Sequence, residues 1–372
     1  MKKILIVNNN LDMGGIQKSL VNLLKEVHGN YDITLLLFSK SGALLHDIPE
    51  DVSVITPNKC YRMLGLTKAE LTKYPFLFCL KFLLMKYAAV FSRKSAMKLL
   101  GLFQKKIRGY DIVISYSQLF GYKYFANGCA DFVLDKTIAK RKICLIHCDY
   151  LNSGTLSAQN NSRYSAFDKI ACCSDSVRRK FLEGSKISPD KVLTLRNFYD
   201  FDIVKLANEK PYAYKNDSIN LLTVARLSPE KGIDRAIEAL SACGRQDIRY
   251  YIIGDGPQKK SLQDKAAENH MEEQVVFLGE QKNPYRYMLN ADYLLVPSLH
   301  EAAPMVFDEA NILGLPIIST NTTSAKEMVG NDGIVCNDFA EVENVLKQLD
   351  KKKKRENCYS NEIQIKQFVS LE

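Results

Sequence analysis

The chain lacks the features that mark secreted, disulfide-built, metal-clustered or membrane-spanning proteins. Its start, Met1 to Val7, has two lysines but only a four-residue apolar run before Asn8, Asn9 and Asn10. That is too little for a signal-peptide core, so a cytosolic protein is expected. Ten cysteines are scattered with no CxxC pair or metal-ligand spacing, which points to reduced core thiols rather than disulfides or a zinc site. No apolar stretch reaches the ~20 residues a crossing helix needs. The longest candidate, Tyr74 to Lys86, is broken by Lys81. The GxGxxG of a dinucleotide site is missing, and no short-period repeat is visible.

What is present is ordinary globular material for two domains: 372 residues, 46% hydrophobic and 25% charged. The formal charge of +9 is unevenly spread. Between Lys59 and Arg108, twelve Lys or Arg stand against one acid, Glu70, a local excess larger than the whole-chain net. Two readings fit this basic region 59–108: an interfacial helix on anionic lipid, or helices packed on their own domain with solvated lysines. Nucleic acid explains it less well, since no recognised binding motif accompanies the charge.

Short apolar runs at residues 3–7, 33–38, 111–115 and 143–146 alternate with helical or polar segments, and Ile16, Leu20, Leu23, Leu24 and Val27 recur at helical spacing. The same grammar resumes after residue 219, with strands at 220–225, 250–253, 275–278 and 293–296, and helices at 233–243, 258–269 and 305–313. Such alternation predicts α/β domains with parallel sheets. The expected domains are 1–205 and 219–357, joined by a polar linker 206–218. A short C-terminal helix within 358–372 is free to dock on either domain, and is assigned to the first. The charge run Lys351–Arg355 reads as a solvated helix end.

Four stretches can carry chemistry. Gly14 and Gly15 sit where a strand-following loop meets a helix, a place that attracts anions but equally makes a plain tight turn. Arg226 ends a strand and Lys231 follows five residues later, before a helix. In an open α/β sheet ligands bind outside the carboxyl ends of the strands, and an Arg–Lys pair suits a diphosphate; the alternative is two surface cations. Gly254-Asp255-Gly256-Pro257 closes a strand and admits close ligand approach, or simply turns the chain. In Pro297 to Ala310, Pro304 fits the first helical position, and Gly314 with Pro316 fits the stop. Glu301 then lies in the strand-to-helix loop and Glu309 on the second helical turn. Both can face one ligand; otherwise Glu301 balances the helix dipole and Glu309 faces solvent.

Arg226, Lys231, Glu301 and Glu309, in that order and context, resemble the signature of retaining family 4 glycosyltransferases (glycosyl transferases group 1). Gly254-Asp255-Gly256-Pro257, Asn283-Pro284-Tyr285 before Ala291-Asp292, and Gly314-Leu315-Pro316 match the same pattern. The resemblance spans nearly the whole chain and implies a GT-B fold, two Rossmann-like doubly wound domains facing a cleft. It implies an acceptor-binding first domain and a nucleotide-sugar-binding second domain. Arg226 and Lys231 would hold the donor diphosphate, with Gly254 and the helix start Ala303-Pro304-Met305 beside it. Glu309 would take the ribose and Glu301 the transferred sugar. Gly14 and Gly15 would line the acceptor side, and His147, ahead of Asp149 as a candidate, would stand in the cleft.

The implied reaction is transfer of a hexosyl or N-acetylhexosaminyl group, with retention, from a nucleotide diphosphate sugar, UDP first. The acceptor would be a glycan or lipid-linked acceptor at the cytoplasmic face of a membrane. Fixed cations can stabilise the leaving diphosphate, so no metal or other cofactor is expected. Asp200-Phe201-Asp202 looks like a DxD metal motif but follows Asn197 near the linker. One departure is Ala302-Ala303, where the family commonly has glycine after the first glutamate; a methyl group there would narrow the phosphate loop. The competing readings are a degenerate GT-B scaffold that only docks on membrane or protein, and a nucleotide-sugar epimerase.

Overall fold

The apolar runs pair side by side and in parallel, in two separate sheets. A computed structural model describes residues 1–214, 217–330, 332–351 and 359–372. The chain divides into one unit of Met1–Phe198 with Asn361–Glu372, and a second of Tyr199–Ser360.

In the first unit the strands are Lys3–Asn8 (β1), Asp32–Leu37 (β2), Ser53–Ile55 (β3), Ile107–Ser115 (β4), Thr137–Ile146 (β5), Lys169–Cys172 (β6) and Val192–Thr194 (β7). Their order is β3-β2-β1-β4-β5-β6-β7. Ile4 lies beside Ile33 of β2 and Ile112 of β4, so a continuous apolar row crosses the sheet centre. The helix Gly15–Val27 buries Leu20, Leu23, Leu24 and Val27 against that row, the face its spacing predicts. The C-terminal helix Glu362–Val369 packs in this unit: Phe368 joins the same core and meets the Tyr31 ring edge-on at 5.5 Å. Residues 352–358, which include most of the charge run and the start of the expected C-terminal segment, lie outside the described residues.

The second unit holds Ile219–Val224 (β8), Ile248–Ile253 (β9), Val275–Gly279 (β10), Tyr293–Val296 (β11), Ile317–Thr320 (β12) and Ile334–Cys336 (β13), ordered β10-β9-β8-β11-β12-β13. Its helix Ile233–Cys243 is bracketed by Gly232 and Gly244, both left-handed at φ +60° and +70°, a conformation that favours glycine at each end. Both sheets reverse direction of growth at the centre, β1/β4 and β8/β11, which is where doubly wound sheets bind ligands.

The linker expected at 206–218 is corrected. The chain passes between units at Phe198/Tyr199 rather than after residue 205, and residues 206–214 belong to the second unit. Asp202–Asn208 is a helix, and Asn283 Nδ2 donates to the Leu206 carbonyl at 2.8 Å. Tyr212 N donates to the Arg286 carbonyl at 3.0 Å, and the Tyr212 ring lies 4.6 Å from that of Tyr287. Polar composition suggested a tether, but the tyrosines supply apolar surface that packs. Lys215 and Asn216, also within that expected linker, lie outside the described residues.

Candidate active site

In the second unit the β8/β11 switch gathers the predicted donor residues. The loop after β8 carries Arg226 and Lys231; the loop after β11 carries Glu301. Lys231 Nζ stands 2.5 Å from Glu301 Oε1, and Ser298 Oγ donates to the same oxygen at 2.9 Å. Backbone contacts fix the two loops together: Leu299 N donates to the Glu230 carbonyl at 2.8 Å. A Cβ on Gly232 would stand 2.2 Å from the Pro297 carbonyl oxygen. Gly232 therefore allows the two loops to touch.

Arg226 is exposed at the strand end. Between the cations, the Glu230 carboxyl accepts from Ser228 Oγ at 2.5 Å. That bond first, and the nearby Lys231 and Arg226 charges after it, hold Glu230 below the usual carboxylate range.

The helix Met305–Ile312 begins at the expected residue, with Pro304 as its cap rather than its first helical position, and Ala303, Pro304 and Met305 are partly exposed around its N-terminus. Glu309 is not the solvent-facing acid that one reading allowed. It is 7% exposed, and Tyr285 Oη donates to its Oε1 at 3.3 Å. Asp308 beside it is buried as well. Ala302 and Ala303 are accommodated with partial exposure.

Gly254 earns its place through packing. At φ +141°, its Cβ would lie 1.9 Å from the Ala225 carbonyl oxygen, and Gly256 at φ +159° abuts the Leu227 carbonyl in the same way. These glycines press the β9 loop onto the arginine-bearing loop, so their first role is to shape the site.

In the first unit, Gly14 and Gly15 lead into the helix Gly15–Val27 after β1, and His147 directly follows β5. Gly14 has φ −179°, open to any residue. The His147 ring stacks 5.2 Å from that of Tyr116, which follows β4, and its backbone N donates to Gln118 Oε1 at 3.2 Å. Tyr116 Oη in turn lies 2.9 Å from Ser19 Oγ, which donates to Asn197 Oδ1 at 2.7 Å. Burial lowers the His147 pKa to about 4, against a small opposing hydrogen bond with the Tyr116 backbone, so the ring is neutral at pH 7. Its Nε2 is buried and has no partner among the described residues.

Asp149 is placed otherwise than a free cleft acid. Its carboxylate pairs with Lys180 Nζ at 2.5 Å and accepts from the backbone of Leu151 and Asn152, closing a turn. Among the described residues no cluster of three His, Cys, Asp or Glu could hold a metal ion.

Sequence reasoning missed Ser298, Tyr116 and Ser19, and quoted Tyr285 in a motif without giving it a role. Thr322 was missed too; its hydroxyl is buried without a partner among the described residues, one residue before Thr323, whose N donates to the Glu301 carbonyl at 3.2 Å. Ser298 was findable, three residues before Glu301. The others reach their partners only through the fold.

Parallel, doubly wound units of this kind define the GT-B architecture. Residues 205–364 match the model of the family described as glycosyl transferases group 1. The amylovoran biosynthesis glycosyltransferase AmsD of Erwinia amylovora is 25% identical over 196 residues, 51% of this chain and 55% of that one. An N-acetylgalactosamine-N,N'-diacetylbacillosaminyl-diphospho-undecaprenol 4-alpha-N-acetylgalactosaminyltransferase of Campylobacter jejuni is 28% identical over 170 residues, 45% of this chain and 46% of its own. The chain thus spans about half the length of these curated relatives. The structure of Anabaena HepE in complex with UDP-glucose shares the fold at a TM-score of 0.63 and 19% identity, covering 94% of this chain and 89% of that one.

Proposed function

We propose that this protein is a retaining glycosyltransferase of family 4 that moves a hexosyl or N-acetylhexosaminyl group from a UDP-sugar to a glycan or lipid-linked acceptor. The observation that carries this reading is the Lys231–Glu301 pair at the β8/β11 switch, joining the loop that also bears Arg226 to the loop that leads into the Met305–Ile312 helix. A diphosphate bound there would meet two cations and a helix N-terminus, the groups that stabilise its charge as it leaves. Glu301 would receive sugar hydroxyls and Glu309 the ribose. Ala303, Pro304 and Met305 would border the phosphates.

The bond from the anomeric carbon to the diphosphate oxygen breaks while the acceptor oxygen bonds the same carbon on the same face. The leaving phosphate oxygen takes the acceptor's proton. Neutral His147 would offer the unpaired Nε2 to a sugar hydroxyl, with Gly14 and Gly15 on the acceptor side; Asp149 would support the turn that follows. No metal is required by this scheme, since Arg226 and Lys231 supply the positive charge. The reading also sets the enzyme in the cytoplasm, on the inner face of a membrane, where a nucleotide sugar and a lipid-linked acceptor meet. Support comes from the group 1 match, from a relative named as an N-acetylgalactosaminyltransferase acting on a diphospho-undecaprenol-linked sugar, and from a structural neighbour solved in complex with UDP-glucose.

The test is calorimetric titration of the full chain with UDP-sugars and GDP-sugars, with and without a chelator. Binding of one UDP-sugar, unchanged by the chelator, is the expected result. Binding of none under any condition would favour a degenerate scaffold, with Ala302-Ala303 obstructing the phosphate loop.

A further inference from the structure

The helix Pro75–Val90 has an unusual surface. Leu84 and Ala88, one turn apart, are its buried residues. At ~100° per residue, Phe82 lies across the helix from that line, while Phe76, Leu83 and Val90, seven residues apart, run along its flank. Phe76 is 72% and Leu83 64% exposed, and Phe91 and Phe103 beyond the helix are exposed too, Phe103 at 90%. A surface helix of a globular protein turns polar residues to water; this one turns aromatic and aliphatic side chains outward. Large apolar side chains exposed in such number on one segment mark an interaction site.

The same segment supplies the charge. Lys86, Lys94, Lys98, Lys105 and Lys106 are exposed, and Lys86 Nζ sits 5.4 Å above the Phe82 ring, so cation and apolar surface are interleaved. We infer that this face docks on an anionic lipid bilayer, with Phe76, Phe82, Leu83 and Phe103 entering the interface and the lysines resting on the headgroups. A helix of 16 residues is about 24 Å long, short of the ~30 Å hydrocarbon core, so it lies along the surface. Among the described residues no helix is long and apolar enough to cross a membrane.

Charge decides between occupants. In a self-paired dimer the patch would face its own excess of positive charge, and like charges oppose association. Anionic headgroups are complementary, each cation near them strengthening binding about fivefold. The lysine stems can extend beside the inserted rings and keep their charges in the headgroup layer. This docking does not depend on the transfer reaction, whose candidate residues Arg226, Lys231 and Glu301 lie in the other unit.

The experiment is flotation of the full chain with vesicles of phosphatidylcholine alone or mixed with phosphatidylglycerol, at low and high salt. Wild type is expected to float with the anionic vesicles and to be released by salt. Leu83→Asp and Phe76→Ser, both at exposed positions, should each weaken binding about tenfold or more, and Lys94→Glu/Lys98→Glu should weaken it similarly. Circular dichroism and UDP-sugar binding of the variants should match wild type. The inference is overturned if wild type floats with neither vesicle, if the variants float equally well, or if sedimentation shows a dimer that Leu83→Asp disperses while vesicles bind nothing. Loss of donor binding in wild type would fail the transferase reading and leave this result standing.

Discussion

Lys231 Nζ and Glu301 Oε1 are 2.5 Å apart, and they come from the loops after adjacent central strands, β8 and β11. The carboxylate positions the lysine, and Ser298 holds the carboxylate from the other side. Replacing Lys231 by Ala removes a fixed cation from the leaving diphosphate and leaves Glu301 as an uncompensated charge facing it. Transfer by Lys231→Ala should fall by roughly 10²–10³, and UDP-sugar affinity should drop with it. Lys259→Ala, which breaks only the exposed Lys259–Asp255 pair at 2.9 Å, is the control and should change either quantity by no more than about twofold. Steady-state kinetics and calorimetry on the two variants check this; equal effects would remove Lys231 from the site.

Two glycines singled out from the sequence should respond in opposite ways to the same change. A Cβ at Gly254 would lie 1.9 Å from the Ala225 carbonyl oxygen in a left-handed backbone at φ +141°. Gly14 is extended, and its Cβ would meet only the end of the Gln17 side chain. Gly254→Ala should lower the melting transition of the second unit by on the order of 10 °C, whereas Gly14→Ala should stay within about 0.5–1 kcal/mol of wild type. Differential scanning calorimetry separates the two outcomes, and a stable Gly254→Ala would contradict the close loop packing.

Much of the second unit was legible because its signals are local. Gly232 and Gly244 bracket a helix read as 233–243, and Pro304 and Gly314 bound the helix that carries Glu309. The short strands β3, β6, β7 and β13 were not read, since three or four residues hold too little periodicity to register. The polar stretch 206–218 misled for a different reason: Tyr212 and Tyr214 pack as apolar surface against Tyr251 and Tyr287, a relation no local pattern shows. Charge counting failed at one position. Arg93 belongs to the basic region by composition, yet its guanidinium is buried.

Arg93 and Asp131 are each 2% exposed and joined at 2.9 Å, with Arg163 on the other Asp131 oxygen at 2.8 Å and Asn160 accepting from Arg93 at 3.1 Å. The network ties the helix Arg93–Leu100 to the segment after β4 through the Gly121 carbonyl. Asp131→Ala leaves two guanidinium groups without their shared carboxylate in a dry place. It should destabilise the first unit by about 3–5 kcal/mol, lowering that unit's calorimetric transition while UDP-sugar binding by the folded protein persists. An unchanged transition would show that water or a neighbour replaces the carboxylate.

His147 gives the fold an acid-sensitive element. Its pKa is lowered from 6.5 to about 4, chiefly because burial beside Tyr116 disfavours the imidazolium. Above about pH 7.5 the ring is neutral in folded and unfolded chains alike, and its protonation contributes almost no slope. Between pH 6.5 and about 4 the unfolded chain binds a proton that the folded chain refuses, so acidification draws the equilibrium toward unfolding. The loss levels off below the folded pKa, at roughly 3 kcal/mol in total. His147→Phe keeps an aromatic ring against Tyr116 and removes the proton site, so the wild-type minus variant stability should fall as pH drops from 7 to 4 and be flat above. An NMR titration of the His147 ring supplies the direct check: a midpoint near 4 is expected, and one near 6.5 would mean that water reaches Nε2 freely and that the ring is half charged close to neutrality.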